Sequence, residues 1–119
     1  MPAVGLEKIR AKAFRSPTVV ILIASRKSAK IEVWEQNATA ACAGFAITLA
    51  AHALGVGAVW KSVPFTRGQA LSEALGLTES EEMLGWIHLG TAAESASLTA
   101  RAPFVVGDVT TILEEGGRK

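Results

Sequence analysis

Residues that could do chemistry lie together at a glycine-marked turn in the middle of the chain. Gly55-Val56-Gly57 closes an alanine-rich segment, and the next few residues bring an aromatic ring, a cation and a hydroxyl together as Trp60-Lys61-Ser62. A hydroxyl and backbone amides donate hydrogen bonds and a lysine supplies positive charge, so this trio suits a planar, anionic cofactor. The competing interpretation is structural, with Trp60 in the core and Lys61 in solvent.

The same glycines do not make a dinucleotide-binding fingerprint. That fingerprint follows a strand and opens a helix, so that a phosphate meets the helix N-terminus. Here the order is reversed, and Trp60 stands where the third glycine belongs. A Rossmann-type site is therefore not expected.

No side chain is predicted to act as a catalytic acid, base or nucleophile. His52 has no acid or nucleophile placed to work with it, and His88 lies within a predicted strand, so both are interpreted as structural. Cys42 has an alanine-rich neighbourhood, which predicts a buried, inert thiol. No Cys/His cluster has metal-ligand spacing, so no metal site is expected.

Length and composition predict a single domain over residues 1–119, with an extended C-terminal tail over 92–119. Half of the residues are hydrophobic, and twelve basic against eleven acidic side chains leave a charge of +1, too little to argue for nucleic acid or a membrane surface. The lone cysteine predicts a reducing, cytoplasmic location. The apolar stretch from Ala38 to Val59 is mostly alanine and glycine, which favours a buried helix over a transmembrane span.

Alternating helical and strand patterns predict a layered α/β domain. The uncharged, β-branched run from Thr18 to Ala24 predicts a strand buried on both faces. Small residues on one side of the long central helix predict close approach of another backbone, in the core or in a dimer: Ala40, Gly44, Thr48 and Ala51. The predicted elements are helix 6–14, strand 18–24, helix 34–54, strand 58–60, helix 67–75 after an N-cap at Thr66, strand 83–89, and an edge or extended segment over 103–106.

Four segments, taken in order, resemble the nitroreductase family, especially its small single-domain branch. The resemblance runs from Phe14 to Thr91 and rests on Arg15-Ser16-Pro17 before the first strand, Trp34-Glu35-Gln36, residues 49–60, and Leu84-Gly85-Trp86-Ile87-His88-Leu89-Gly90-Thr91. It implies an α+β sandwich with a mixed sheet flanked by helices, a homodimer, and FMN at the dimer interface. The implied activity takes hydride from NADH or NADPH and reduces nitroaromatics, quinones or similar small molecules.

The family's flavin contact after the central helix matches Trp60, Lys61 and Ser62. An arginine is common at the second of these positions, so Lys61 keeps the charge without bidentate recognition. The family's N-terminal Arg-Arg-Ser element, which holds the flavin phosphate, has no counterpart, so the chain resembles only the C-terminal portion. Arg101 weakly echoes a basic tail residue near that phosphate.

Three accounts of function follow. The chain is an FMN-dependent NAD(P)H oxidoreductase that draws the missing contacts from a second copy or from a complementing N-terminal half. Alternatively, it is a non-catalytic, flavin-poor remnant that dimerises through the small-residue helix as an interaction module, or it is a truncated reading frame.

Overall fold

The structure is a computed structural model that describes residues 3–62, 68–94, 100–114 and 117–118. Its body consists of four elements: β1 (Thr18–Ser25), α2 (Val33–Ala53), β2 (Gly57–Lys61) and β3 (Glu81–Gly90). Around these lie α1 (Ala3–Ala13), α3 (Gln69–Leu75), a 3₁₀ turn at Val106–Val109 and the short strands β4 (Leu113–Glu114) and β5 (Gly117–Arg118). The predicted α/β class is confirmed.

The main sheet has the strand order β1-β3-β2, and β3 is antiparallel to both neighbours. β1 and β2 therefore run in the same direction, and α2 connects them across one face as in a βαβ unit. The position between them is filled by β3, which arrives later in the chain and runs the other way. The expected mixed sheet is thus antiparallel in each of its pairings among the described residues, because β3 separates the two strands that run parallel.

The small-residue side of α2 packs against the sheet, so of the two possibilities, core and dimer packing, the structure shows core packing on this side. Gly44 and Ala51 are buried, and Ala40 and Thr48 on the same side are half-buried. A methyl group on Gly44 would lie 3.0 Å from the Trp60 ring and closer still to Leu22. Glycine at this position lets the helix backbone come down onto the strands.

The other face of the sheet is open in the described part of the chain. Leu22 and Ala24 of β1 are buried under α2, whereas Ile21, which directly precedes Leu22, is exposed. The prediction that this strand is buried on both faces is therefore wrong here. α1 and α3 pack only marginally on the sheet, and an apolar run does not reveal which of its faces a neighbouring element covers.

The loop before α2 is held by the side chain of Gln36. Its carbonyl oxygen accepts from the amides of Lys27 at 3.0 Å and Ser28 at 3.3 Å, and its amide group donates to the carbonyls of Ser28 at 2.9 Å and Ile31 at 2.8 Å. Trp34, at the start of the same helix, is 69% exposed. One glutamine side chain therefore ties the turn to the first turn of α2.

The remaining segments lie at the periphery. α3 begins at Gln69 after Gly68 and ends at Gly76 in the left-handed conformation, while Thr66 and the predicted helix start at residue 67 lie outside the described residues. Residues 103–105 are extended and exposed without strand pairing. Among the described helices, none has the length and apolar character needed to cross a membrane.

Candidate functional site

Trp60 lies on the α2 side of the sheet and acts as a packing residue. Its ring sits beneath Gly44, and its indole nitrogen donates to the Leu84 carbonyl at 3.3 Å. Gly85 faces the same indole with a φ of +143°, and a side chain there would clash with the ring and with the Lys61 carbonyl at 2.7 Å. Two glycines thus make room for one tryptophan.

Lys61 lies on the opposite side of the same strand. Side chains alternate across a strand, so Lys61 faces away from α2, toward the side that carries Val59 and His88. Ser62 follows β2 and is exposed. The structure therefore splits the predicted trio: Lys61 and Ser62 are free to meet a ligand, and Trp60 supports the strand beneath them.

A solvent-open cavity of about 360 Å³ lies where Lys61 faces. Its walls come from the end of α1, the start of β1, both ends of β2 and the end of β3. Three basic side chains from distant parts of the chain line it: Lys12, Arg15 and Lys61. Among the described residues that line this cavity, which we call the basic cavity, none is acidic.

A serine and a histidine meet in the wall of the basic cavity. Ser16 Oγ lies 2.8 Å from His88 Nδ1 and donates its hydrogen to the Thr18 carbonyl at 2.9 Å. With its proton used in this way, Ser16 Oγ accepts a hydrogen bond from an Nδ1–H of His88. His88 is only 9% exposed, and this bond ties β3 to the start of β1.

A second, more polar depression lies near the other end of β3. Arg26 pairs with Glu82 at 3.4 Å and donates to the Glu79 carbonyl at 2.8 Å. The backbone amide of Thr78 donates to Glu81 at 3.0 Å, which holds the pKa of that carboxyl below its usual value. Because opposite charges already pair there, this depression offers less to a charged ligand than the basic cavity does.

The other residues considered from the sequence lie apart from the basic cavity. His52 is exposed near the end of α2, and Arg101 is exposed in the extended tail. Cys42, expected to be buried, is exposed, because it lies on the side of α2 that faces away from the sheet. An alanine-rich neighbourhood shows that a helix packs closely but does not show which side a given residue occupies.

Sequence reasoning did not select Lys12, Arg15, Ser16 or His88 as site residues. In the sequence, Arg15 and Ser16 mark the junction before the first strand, and His88 is interpreted as a structural residue. The one available signal was Arg15-Ser16-Pro17, a cation and a hydroxyl placed directly before a buried strand. Their approach to Lys61, more than forty positions further along, depends on the pairing of β1 and β2 with β3.

Comparison with known proteins identifies the fold and the lineage. The model of the nitroreductase family matches residues 3–91, which include all three strands of the main sheet and the basic cavity's principal residues. The chain belongs to the nitroreductase family. The resemblance seen in the motifs between Phe14 and Thr91 is confirmed.

Two bacterial relatives of this family member carry provisional names as NAD(P)H nitroreductases. One, YdjA of Escherichia coli K12, is 33% identical over 100 residues, which are 83% of this chain and 55% of that protein. The other, from Haemophilus influenzae, is 36% identical over 98 residues, which are 81% of this chain and 53% of that protein. The chain thus spans about half the length of these relatives.

A solved structure supports the same fold. The crystal structure of a nitroreductase-like family protein from Bacillus cereus superposes with a TM-score of 0.75 at 24% identity. The match covers 94% of this chain and 59% of that one. At this identity the likeness establishes the fold and leaves activity to other arguments.

Proposed function

We propose that this family member is an FMN-dependent NAD(P)H oxidoreductase that reduces nitroaromatics, quinones or similar small acceptors. The observation that carries the proposal is the family match over residues 3–91, together with relatives that bear NAD(P)H nitroreductase names. Because the chain covers about half of each relative, the activity of the whole relatives is carried over here as a hypothesis.

Lys61 and Ser62 are the side chains best placed to contact a flavin. Both are exposed at the end of β2, one as a cation and one as a hydroxyl, and a flavin presents carbonyl oxygens and phosphate as acceptors. The ring of Trp60 packs under α2, and contact of this half-buried residue with the flavin stays a prediction. When bound, the flavin supplies the hydride chemistry, and the protein binds and orients it.

We further propose that the chain functions in contact with a second polypeptide, either a second copy or a complementing N-terminal half, in the cytoplasm. α2 is apolar on both sides, and the side away from the sheet exposes Phe45 at 59% and Leu49 at 56%. A helix that is apolar all round is normally covered all round. The free, exposed thiol of Cys42 suits a reducing compartment.

The experiment is an absorption spectrum of the purified chain after addition of FMN and desalting. The proposal expects retained flavin absorbance and FMN-dependent oxidation of NADH or NADPH with a nitroaromatic acceptor. Lys61→Gln is expected to weaken flavin retention, whereas Lys30→Gln, an exposed lysine in the loop before α2, serves as a matched control. A colourless protein that ignores added FMN would rule the proposal out.

The competing function is a non-catalytic interaction module. The exposed apolar side of α2 favours association in either case, so it does not decide between them. A chain that associates but neither retains FMN nor oxidises NAD(P)H would be such a module.

A further inference from the structure

The basic cavity gathers cations that the sequence leaves scattered. Lys12 lies in the last turn of α1, Arg15 in the following turn and Lys61 at the end of β2. In the described part of the chain, none of the three forms a salt bridge. Three like charges placed around one opening repel one another, and an anion bound between them would relieve that repulsion.

The cavity also offers neutral hydrogen-bonding groups. Thr91, Ser16 and His88, which carry a hydroxyl, a hydroxyl and an imidazole, line its wall. With Nδ1 committed to Ser16, Nε2 is the ring nitrogen of His88 left for a further partner. Phosphate monoesters carry acceptor oxygens and, in the monoanion, a proton to donate, so they can pair with a hydrogen-bond donor or an acceptor.

Two glycines keep the walls of the cavity close together. A side chain on Gly57 would lie 2.9 Å from the Gly90 carbonyl and 3.3 Å from the Ala92 amide. A side chain on Gly90 would lie 2.9 Å from the Pro17 ring. The start of β2, the end of β3 and the segment before β1 therefore approach one another closely in the wall of the basic cavity.

We propose that the basic cavity binds a phosphate monoester through Lys12, Arg15 and Lys61. Arginine and lysine beside hydroxyl groups are the side chains that proteins use for phosphate, because charged hydrogen bonds to its oxygens are the strongest available. The identity of the phosphate as that of FMN rests on the proposed function, since Lys61 belongs to both sites. Phosphate binding itself does not depend on that function.

The primary test is a titration of the full chain with inorganic phosphate at low salt, with the heat of binding measured by calorimetry. The Lys12→Gln/Arg15→Gln double variant is expected to lose affinity roughly tenfold or more, because two charged hydrogen-bond donors are removed. Arg10→Gln is the matched control, since it removes an exposed cation from the same helix without touching the cavity. Circular dichroism checks that both variants stay folded, and Lys61→Gln, at the exposed end of β2, provides an independent second variant.

Absence of phosphate binding, or equal affinity in the wild-type chain and both cavity variants, would overturn the site. Weakened binding in both cavity variants with an unchanged Arg10→Gln control would support it. Added KCl is expected to weaken phosphate binding as well, since the attraction is between charges.

A second set of titrations identifies the source of the phosphate. If FMN supplies it, FMN binds more tightly than riboflavin, and the double variant removes that difference. If the 2′-phosphate of NADP⁺ supplies it, NADP⁺ binds more tightly than NAD⁺ and the double variant equalises them. If phosphate binds while neither flavin does, the cavity stands and the proposed FMN function fails, so the two proposals can be told apart.

Discussion

Trp60 shows how two roles that look alike in the sequence separate in the structure. Its indole ring fills the space between α2 and the sheet, and its neighbour Lys61 faces the basic cavity on the other side of β2. Gly44 and Gly85 make that placement possible by leaving room for the ring. At the scale of single residues, the trio is thus one packing residue followed by two that can meet a ligand.

This division predicts that two substitutions differ in their effect on the free energy of unfolding. Trp60→Ala leaves a cavity under α2 and is expected to lower the free energy of unfolding by about 2–3 kcal/mol, somewhat less than for a fully buried tryptophan. Lys61→Gln removes an exposed cation and is expected to leave that free energy within about 0.5 kcal/mol. Urea denaturation monitored by circular dichroism measures both. Equal stabilities for the two variants would contradict the packing role of Trp60.

At the scale of elements, two side chains near the start of α2 hold it in place, one by bonds to the preceding loop and one by a bond to β3. Gln36 makes four hydrogen bonds to the backbone of residues 27–31, and Asn37 donates to Glu82 of β3 at 3.1 Å. Glu32 at the N-cap makes no side-chain capping bond. The helix therefore depends on these tertiary hydrogen bonds at a position where a local cap is missing.

Gln36→Ala tests this arrangement. Removing the side chain leaves loop amides and carbonyls without their partner, and because the loop is largely exposed, water replaces part of what is lost. We expect the free energy of unfolding to fall by about 1–2 kcal/mol. Gln69→Ala is the matched control, since Gln69 makes one exposed hydrogen bond to Glu73 on α3. A loss no greater than in the control would show that the loop does not rely on Gln36.

At the scale of the whole molecule, the chain has more surface than a closed globule of its size. Its accessible surface is 9805 Å², against roughly 6,100 Å² for a folded monomer of this mass. Its radius of gyration is 18.8 Å, against about 13.5 Å for a compact domain of this length. Exposed apolar side chains contribute to this excess both on the outer side of α2, at Phe45 and Leu49, and in the C-terminal segment, at Phe104, Ile112 and Leu113.

Phe45→Glu is designed to test association through α2. A charge in the exposed apolar stripe formed by Trp34, Phe45 and Leu49 is expected to weaken self-association roughly 30-fold or more, because a buried interface does not tolerate an unpaired carboxylate. Ala70→Glu places the same charge on the exposed part of α3 and serves as the control. Sedimentation velocity over a range of concentrations gives the dissociation constants. A wild-type chain that stays monomeric at high concentration would exclude the homodimer.

Several features followed from the sequence by itself. The α/β class, the extent of α2, the close backbone approach at Gly44 and Ala51, and the nitroreductase lineage were all predicted and are confirmed. These depend on local periodicity, on residue size along one helix, and on short motifs in a fixed order. Each of these signals can be read from the sequence without knowing which distant segments are in contact.

Other features were decided only by the tertiary structure. The antiparallel placement of β3, the exposure of Cys42, the division of Trp60 from Lys61, and the meeting of Lys12, Arg15 and Lys61 in one cavity depend on contacts between distant segments. Composition records that cations and apolar runs are present, but strand pairing determines which of them share a face. The candidate phosphate site is therefore a product of how β1 and β2 align on either side of β3.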